Sequence, residues 1–85
     1  MTDNMNNEKP LRTAEENARR VEERRRIGAL LKAEREKQSI GLRELAEKCG
    51  IDHSHLVRIE SGRYNITIDI LSLVAGALGK RINID

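Results

Sequence analysis

Residues 42–62, LRELAEKCGIDHSHLVRIESG, decide how this chain folds. Apolar residues recur where two short helices would face each other, and they are Leu45, Cys49, Ile51, Leu56 and Ile59. Ala46 lies where the two helices would cross closely, and Gly50 lies where the chain must turn. A small residue at the crossing and a glycine at the turn predict a helix-turn-helix, whose second helix is shaped for the major groove of DNA.

The composition limits what the chain can build and what it can bind. With 85 residues the chain is large enough for one small domain. Only 1% of the residues are aromatic, so the core must be aliphatic, and the stacking surface of RRM-type RNA binders is missing. The formal net charge of +2 permits nucleic-acid binding without demanding it. Because the sequence lacks an apolar run of membrane length, a signal peptide and a second cysteine, we expect a cytoplasmic protein without a membrane segment.

The N-terminal part of the chain is more polar than the rest. Residues 1–12 predict a disordered tail. Residues 13–26 predict a charged helical arm, because Thr13 and Glu16 form a capping box and acidic residues precede basic ones by four positions. The run Arg24–Arg26 could contact DNA, but its alternation with glutamates favours a solvated helix face.

The apolar residues of this part form two stripes that point in nearly opposite directions. One stripe includes Ala18 and Val21, and the other includes Ile27, Leu30 and Leu31. One straight helix cannot bury both stripes against the same core. We therefore expect either a bend near residues 26–28 or an arm that docks elsewhere or stays solvated.

Residues 27–79 predict the folded domain. Two helices of the central motif are expected at residues 42–49 and 53–60, with Asp52 as the N-cap of the second helix. Apolar residues at helical spacing after Thr67 predict one more helix, which Gly79 ends. Residues 80–85 then alternate apolar and polar residues, which predicts a short strand. Since a lone strand has no partner in this chain, we expect it to pair across a homodimer and bury Ile82 and Ile84.

Residues 27–79 resemble the lambda/434 repressor-like (Cro/C1, or XRE) helix-turn-helix family, through ELAEKCGI, HLVRIESGR and the helix start NITI. The resemblance implies an all-α bundle of four to five helices that binds double-stranded DNA. It assigns the reading of bases to His53, Ser54 and Arg58. It implies contacts with the DNA backbone from Leu42, Arg43, His55, Arg63, Tyr64, Asn65 and Thr67. Arg35 and Glu60 match a pair that forms a partly buried salt bridge in this family.

Two features depart from the family pattern. Gly41 and Leu42 stand where the family usually has a polar cap and a glutamine, so only the backbone N–H of Leu42 could meet a phosphate. His53 and Ser54 replace the paired glutamines of some phage repressors. The preferred base sequence therefore cannot be transferred from those relatives.

The sequence thus predicts a prokaryotic transcriptional repressor that acts as a homodimer. One alternative is the DNA-binding antitoxin of a toxin–antitoxin pair, because some of those proteins also end in a short strand, and the arm would then be a candidate segment for binding a toxin. Another alternative is an interaction adaptor that does not bind DNA. Neither an enzyme nor a cofactor or metal site is expected, because His53 and His55 do not share a helix face and no nucleophile is paired with a base.

Overall fold

A computed structural model describes residues 13–84, which form four helices joined by short loops. The helices are α1 (Ala14–Lys37), α2 (Leu42–Cys49), α3 (His53–Glu60) and α4 (Ile68–Ala77). The capping box that begins α1 joins the Thr13 N–H to Glu16 Oε1 and the Glu16 N–H to Thr13 Oγ1. At the start of α4 the Thr67 hydroxyl accepts the N–H of Ile70. The predicted all-α class is confirmed.

The aliphatic core lies where the C-terminal half of α1 meets the other three helices. Leu45 of α2, Leu56 of α3 and Val74 of α4 are fully buried at its centre. Six more buried apolar residues surround them, namely Leu31, Ala46, Cys49, Ile59, Ala75 and Leu78. Burial raises the pKa of the Cys49 thiol, which agrees with a packing role for this residue.

The turn between α2 and α3 fixes how these two helices cross. Gly50 adopts a left-handed backbone conformation with φ of 69°, which glycine takes without steric cost. The N–H of Ile51 then donates to the carbonyl oxygen of Ala46 at 3.0 Å. Ala46 is only 3% exposed, because α3 crosses α2 at this small side chain.

Helix α1 is continuous through Arg26–Gly28. A bend at this position was one of the expectations, and the helix is not interrupted there. Residues 13–26 extend this helix as an arm, and their side chains are exposed except for the half-buried Val21 and Arg24. Only part of the second apolar stripe reaches the core, since Leu31 is buried whereas Leu30 is 57% exposed.

The C-terminal segment, residues 80–84, forms no strand in the part of the chain that the structure describes. The predicted strand is therefore not seen, because a strand needs a neighbour and a single copy offers none. Residues 81–84 make no backbone hydrogen bond within residues 13–84. The predicted tail of residues 1–12 lies outside the described residues.

The close approach of α1 to α3 at Gly28 can be tested by adding one methyl group. A Cβ atom built on Gly28 would lie 2.5 Å from the carbonyl oxygen of Ile59 and 2.6 Å from that of Glu60. We expect Gly28→Ala to lower the free energy of unfolding by about 1–3 kcal/mol in urea denaturation, because backbone must shift to admit the methyl.

The matched control is Gly76→Ala in α4, where nothing lies within 4 Å of the new Cβ. This substitution should raise the free energy of unfolding by about 0.5–1 kcal/mol, because alanine loses less conformational freedom than glycine in a helix. Equal effects of the two substitutions would contradict the close approach of α1 to α3.

Candidate nucleic-acid interface

Helix α3 presents one face to solvent. Ser54 and Arg58 are exposed and lie one helical turn apart on the same face, and the half-buried His53 precedes them. The Arg58 guanidinium has no ion-pair or hydrogen-bond partner within residues 13–84. An exposed guanidinium on a helix face can donate two hydrogen bonds at once, which is what guanine O6 and N7 accept in the major groove.

The first turn of α3 differs from the prediction in one detail. Asp52 is the residue before the helix, as expected, but its side chain makes no capping hydrogen bond. Its Oδ2 instead accepts a hydrogen bond from Ser54 Oγ at 3.0 Å. The predicted N-cap position is confirmed, but the first N–H groups of α3 have no side-chain acceptor from Asp52.

The loop that follows α3 is folded back onto it. The N–H of Arg63 and the hydroxyl of Ser61 both donate to the carbonyl oxygen of Arg58, at 3.0 and 3.1 Å. The Arg63 Nε donates to Ser61 Oγ at 2.9 Å. Arg63 and Asn65 are exposed and Tyr64 is half-buried. The Arg63 guanidinium and the Asn65 amide therefore lie on a loop that is fixed to the end of α3.

The ring of His55 packs against the loop that follows α3. It lies edge-on to the ring of Tyr64, with centroids 4.4 Å apart and an angle of 78° between the planes. Its Nε2 atom is buried and has no hydrogen-bond partner within residues 13–84. The Nε2 atom cannot reach a phosphate or solvent in this arrangement, because the loop after α3 covers this side of the helix. Contact with the DNA backbone through the rest of the ring stays a prediction.

Helix α2 and the start of α4 hold the remaining residues that were expected near the DNA backbone. Arg43 is exposed in the first turn of α2, whereas Leu42 is half-buried and packs against the core. The Leu42 side chain therefore serves packing, and only its backbone N–H is left for a phosphate. Thr67 is exposed, and its hydroxyl caps α4 as an acceptor.

Arg35 and Glu60 join α1 to the C-terminal end of α3 through a buried, two-pronged ion pair. The Nε–Oε2 distance is 2.7 Å and the Nη2–Oε1 distance is 3.0 Å, and each residue is only 8% exposed. The Arg35 Nη1 atom also donates to the carbonyl oxygen of Ile40 at 3.0 Å. The hydrogen bonds with Glu60 raise the pKa of Arg35 against the opposing effect of burial, so the guanidinium stays charged. We call this pair the clamp.

Sequence reasoning missed two glycines that bring α1 close to the end of α3. Gly28 packs against carbonyl groups of α3, as described above. Gly62 adopts a φ of 77°, and a Cβ built there would lie 2.7 Å from the Cα of Arg25. Arg24 Nε also donates to the carbonyl oxygen of Gly62 at 3.4 Å. For Gly28 the sequence did contain a signal of this contact, because a glycine inside a helical pattern often marks close packing.

These features together define a helix-turn-helix domain with an exposed second helix. The chain belongs to the helix-turn-helix family of the Cro/C1 (XRE) type, whose family model, described as Helix-turn-helix, matches residues 31–84. The family resemblance inferred from the sequence is thereby confirmed.

Known proteins of this family are similar to the chain over the same region. The immunity repressor protein of Bacillus phage phi105 is 39% identical over 57 residues, which are 67% of this chain and 40% of that protein. An uncharacterized HTH-type transcriptional regulator of Mycobacterium tuberculosis is 33% identical over 51 residues, or 60% of this chain and 36% of that regulator. The chain thus spans less than half the length of these relatives.

A solved structure has the same fold. The crystal structure of the clp gene regulator ClgR from C. glutamicum superposes with a TM-score of 0.68 at 34% sequence identity, covering 69% of this chain and 76% of that one. In residues 13–84 no helix is long and apolar enough to cross a membrane. The same residues contain no group of three His, Cys, Asp or Glu side chains that could hold a metal ion.

The contribution of the clamp to stability can be tested by removing one of its two partners. We expect Glu60→Ala to lower the free energy of unfolding by about 3–5 kcal/mol, because the Arg35 charge would remain buried without its partner. Urea denaturation measures the change, and Glu47→Ala on the exposed face of α2 is the matched control, with an expected loss within about 0.5 kcal/mol.

A double variant keeps this prediction testable if Glu60→Ala does not fold. Arg35→Met with Glu60→Leu removes both charges at similar volume, so it should be more stable than Glu60→Ala alone. If the double variant were less stable than Glu60→Ala, the charge left without a partner would not be the cause of the loss.

Proposed function

We propose that this protein is a transcriptional regulator that binds double-stranded DNA sequence-specifically and acts as a repressor in the form of a homodimer. The observation that carries this proposal is the exposed face of α3, where Ser54 and Arg58 stand beside the loop bearing Arg63 and Asn65. Membership of the helix-turn-helix family supports it, because this motif lays its second helix in the major groove. The names of the relatives, an immunity repressor and a transcriptional regulator, support the same role.

The proposed contacts divide into two kinds. His53, Ser54 and Arg58 would read base edges, because Ser54 and Arg58 occupy the exposed face of α3 and the half-buried His53 directly precedes them. A second group would contact the sugar–phosphate backbone and set affinity and register without reading sequence. That group consists of the Leu42 backbone N–H, the part of the His55 ring other than Nε2, and the side chains of Arg43, Arg63, Tyr64, Asn65 and Thr67.

The assignment of Arg58 can be tested by its removal. We expect Arg58→Ala to weaken binding to the preferred duplex by about 5- to 150-fold, which corresponds to the 1–3 kcal/mol of a bidentate base contact. Binding to a random duplex should weaken much less, because a non-specific complex does not use this contact. Fluorescence anisotropy at constant salt measures both affinities.

The control for Arg58→Ala is Lys37→Ala, which also removes one exposed positive charge. Lys37 is the last residue of α1 and lies at the end of that helix farthest from the arm. Two results would refute the assigned recognition face. Arg58→Ala could lose equal affinity for the preferred and random duplexes, or it could lose no more affinity for the preferred duplex than Lys37→Ala does. If the wild-type protein bound no duplex even at low salt, the adaptor alternative would replace the whole proposal.

The proposed homodimer would pair the C-terminal segments of two copies. Residues 81–84 have unpaired backbone groups within the described chain, and such an edge can pair with a second copy. Ile84 is 90% exposed, and Ile82 lies in one groove with the exposed Leu30 of α1. A second copy would cover this apolar surface, which a lone protomer leaves in water. Two recognition helices related in this way would need to lie about 34 Å apart to read one face of DNA.

Alternate residues of the segment provide a matched test of this dimer. We expect Ile82→Ser with Ile84→Ser to shift the protein from dimer to monomer in sedimentation velocity, because the apolar side of the ribbon would be lost. Arg81→Ser with Asn83→Ser changes the other side of the same segment and should leave the dimer unchanged. A dimer that survives the isoleucine substitutions would contradict the proposed pairing.

A DNA-binding antitoxin is the second candidate function, and the free C-terminal segment favours it. The exposed arm would then offer a surface for a toxin partner. Co-expression with the product of a neighbouring gene separates the two functions. A stable complex whose partner inhibits growth alone would support the antitoxin, whereas a protein that purifies without such a partner would support the repressor.

A further inference from the structure

We propose that Ser61 is a positioning residue for DNA binding, because its hydroxyl holds the Arg63 side chain in place for a phosphate before DNA binds. This inference rests on the proposed DNA binding and deepens it. Ser61 is the C-cap of α3 and is not one of the residues assigned to DNA. Through the same hydroxyl the phosphate contact of Arg63 is tied to Arg58, which is proposed to read bases.

Helix α3 ends in a turn that fixes the backbone of Arg63. Gly62 has a φ of 77°, and this left-handed residue reverses the chain directly after Ser61. The N–H of Gly62 donates to the carbonyl oxygen of Ile59 at 3.1 Å. The N–H of Arg63 donates to the carbonyl oxygen of Arg58 at 3.0 Å. These two bonds are the Schellman pattern of helix ends, and they give the Arg63 backbone a fixed place beside the base-reading helix.

The Ser61 hydroxyl fixes the side chain of Arg63 in the same place. It accepts a hydrogen bond from Arg63 Nε at 2.9 Å and donates one to the carbonyl oxygen of Arg58 at 3.1 Å. The direction of these bonds is forced, because a guanidinium can only donate and a carbonyl oxygen can only accept. A hydroxyl that donates its proton in this way is also a stronger acceptor. Both the backbone and the side chain of Arg63 are thus anchored to one carbonyl group of α3.

The two terminal nitrogens of Arg63 are left for a ligand. Arg63 is exposed, and neither Nη1 nor Nη2 has a hydrogen-bond or ion-pair partner within residues 13–84. With Nε held by Ser61, the end of the guanidinium presents two parallel N–H groups, which can bind two oxygens of one phosphate. An arginine that is held in advance loses less conformational freedom when it binds. The Ser61 hydroxyl should therefore raise the affinity for DNA without touching it.

A double-mutant cycle tests whether Ser61 acts through Arg63. We expect Ser61→Ala to weaken binding to the preferred duplex by about 2- to 12-fold per bound protomer, because Arg63 must then be ordered during binding. In a chain that already carries Arg63→Met, which cannot hydrogen-bond to Ser61, the same substitution should cause no further loss. Ser61→Thr keeps a hydroxyl at this position and should retain the wild-type affinity. Fluorescence anisotropy at constant salt measures all of these affinities.

The matched control repeats the cycle with Arg43→Met. Arg43 is also exposed and assigned to the DNA backbone, but it makes no hydrogen bond with Ser61 in the part of the chain that the structure describes. Ser61→Ala should therefore cause its full loss of affinity in the Arg43→Met background. The same full loss in the Arg63→Met background would overturn the inference, because the hydroxyl would then act only on the end of α3. Wild-type affinity in Ser61→Ala alone would overturn it as well.

The motion of the Arg63 side chain gives a readout that needs no DNA. The ¹⁵N–{¹H} NOE of its Nε–H group should be high in the free wild-type protein and should fall in Ser61→Ala, because the acceptor is removed. Equal values in the two proteins would overturn the inference alone. A wild-type chain that binds no duplex even at low salt would overturn the proposed function, and with it the role of Ser61 in DNA binding.

Discussion

The buried ion pair between Arg35 and Glu60 sets the position of the surface that we assign to DNA. Helix α3 has only eight residues, and a helix of that length is not stable alone in water. It is held at its start by the Gly50 turn, along its length by Leu56 in the core, and at its end by Glu60. Because both guanidinium–carboxylate bonds must be satisfied together, the clamp fixes the direction of α3 as well as its distance from α1.

The clamp and the two glycines beside it act at the same junction. A buried ion pair gains little free energy over apolar side chains of similar volume, so its value here lies in geometry. Arg35 contacts α3 and also the loop that leads into α2, through the carbonyl oxygen of Ile40. Gly28 lets the backbones of α1 and α3 approach closely. The Arg35 side chain and the absence of a side chain at Gly28 therefore fix the relative positions of α1, α2 and α3.

The parts of the fold that local chemistry dictates could be predicted from the sequence. The bounds of α2 and α3 follow from the apolar spacing and from Gly50, and the start of α4 follows from Thr67. The parts that depend on distant contacts could not be predicted. The ring contact of His55 with Tyr64 depends on a loop that folds back, and the role of Gly28 depends on which helix crosses it. The absence of a strand at residues 80–84 could not be predicted either, because a strand needs a neighbouring strand and residues 13–84 provide none.

Most of the helix-turn-helix is scaffold, and few of its residues are free to read DNA. Selection of bound sequences from a library of random duplexes, with the full chain, tests most directly whether α3 reads bases. We expect enrichment of one pseudo-palindromic sequence whose half-sites are centred about one helical turn apart. A folded protein that binds the library yet enriches no sequence would contradict the claim that α3 reads bases.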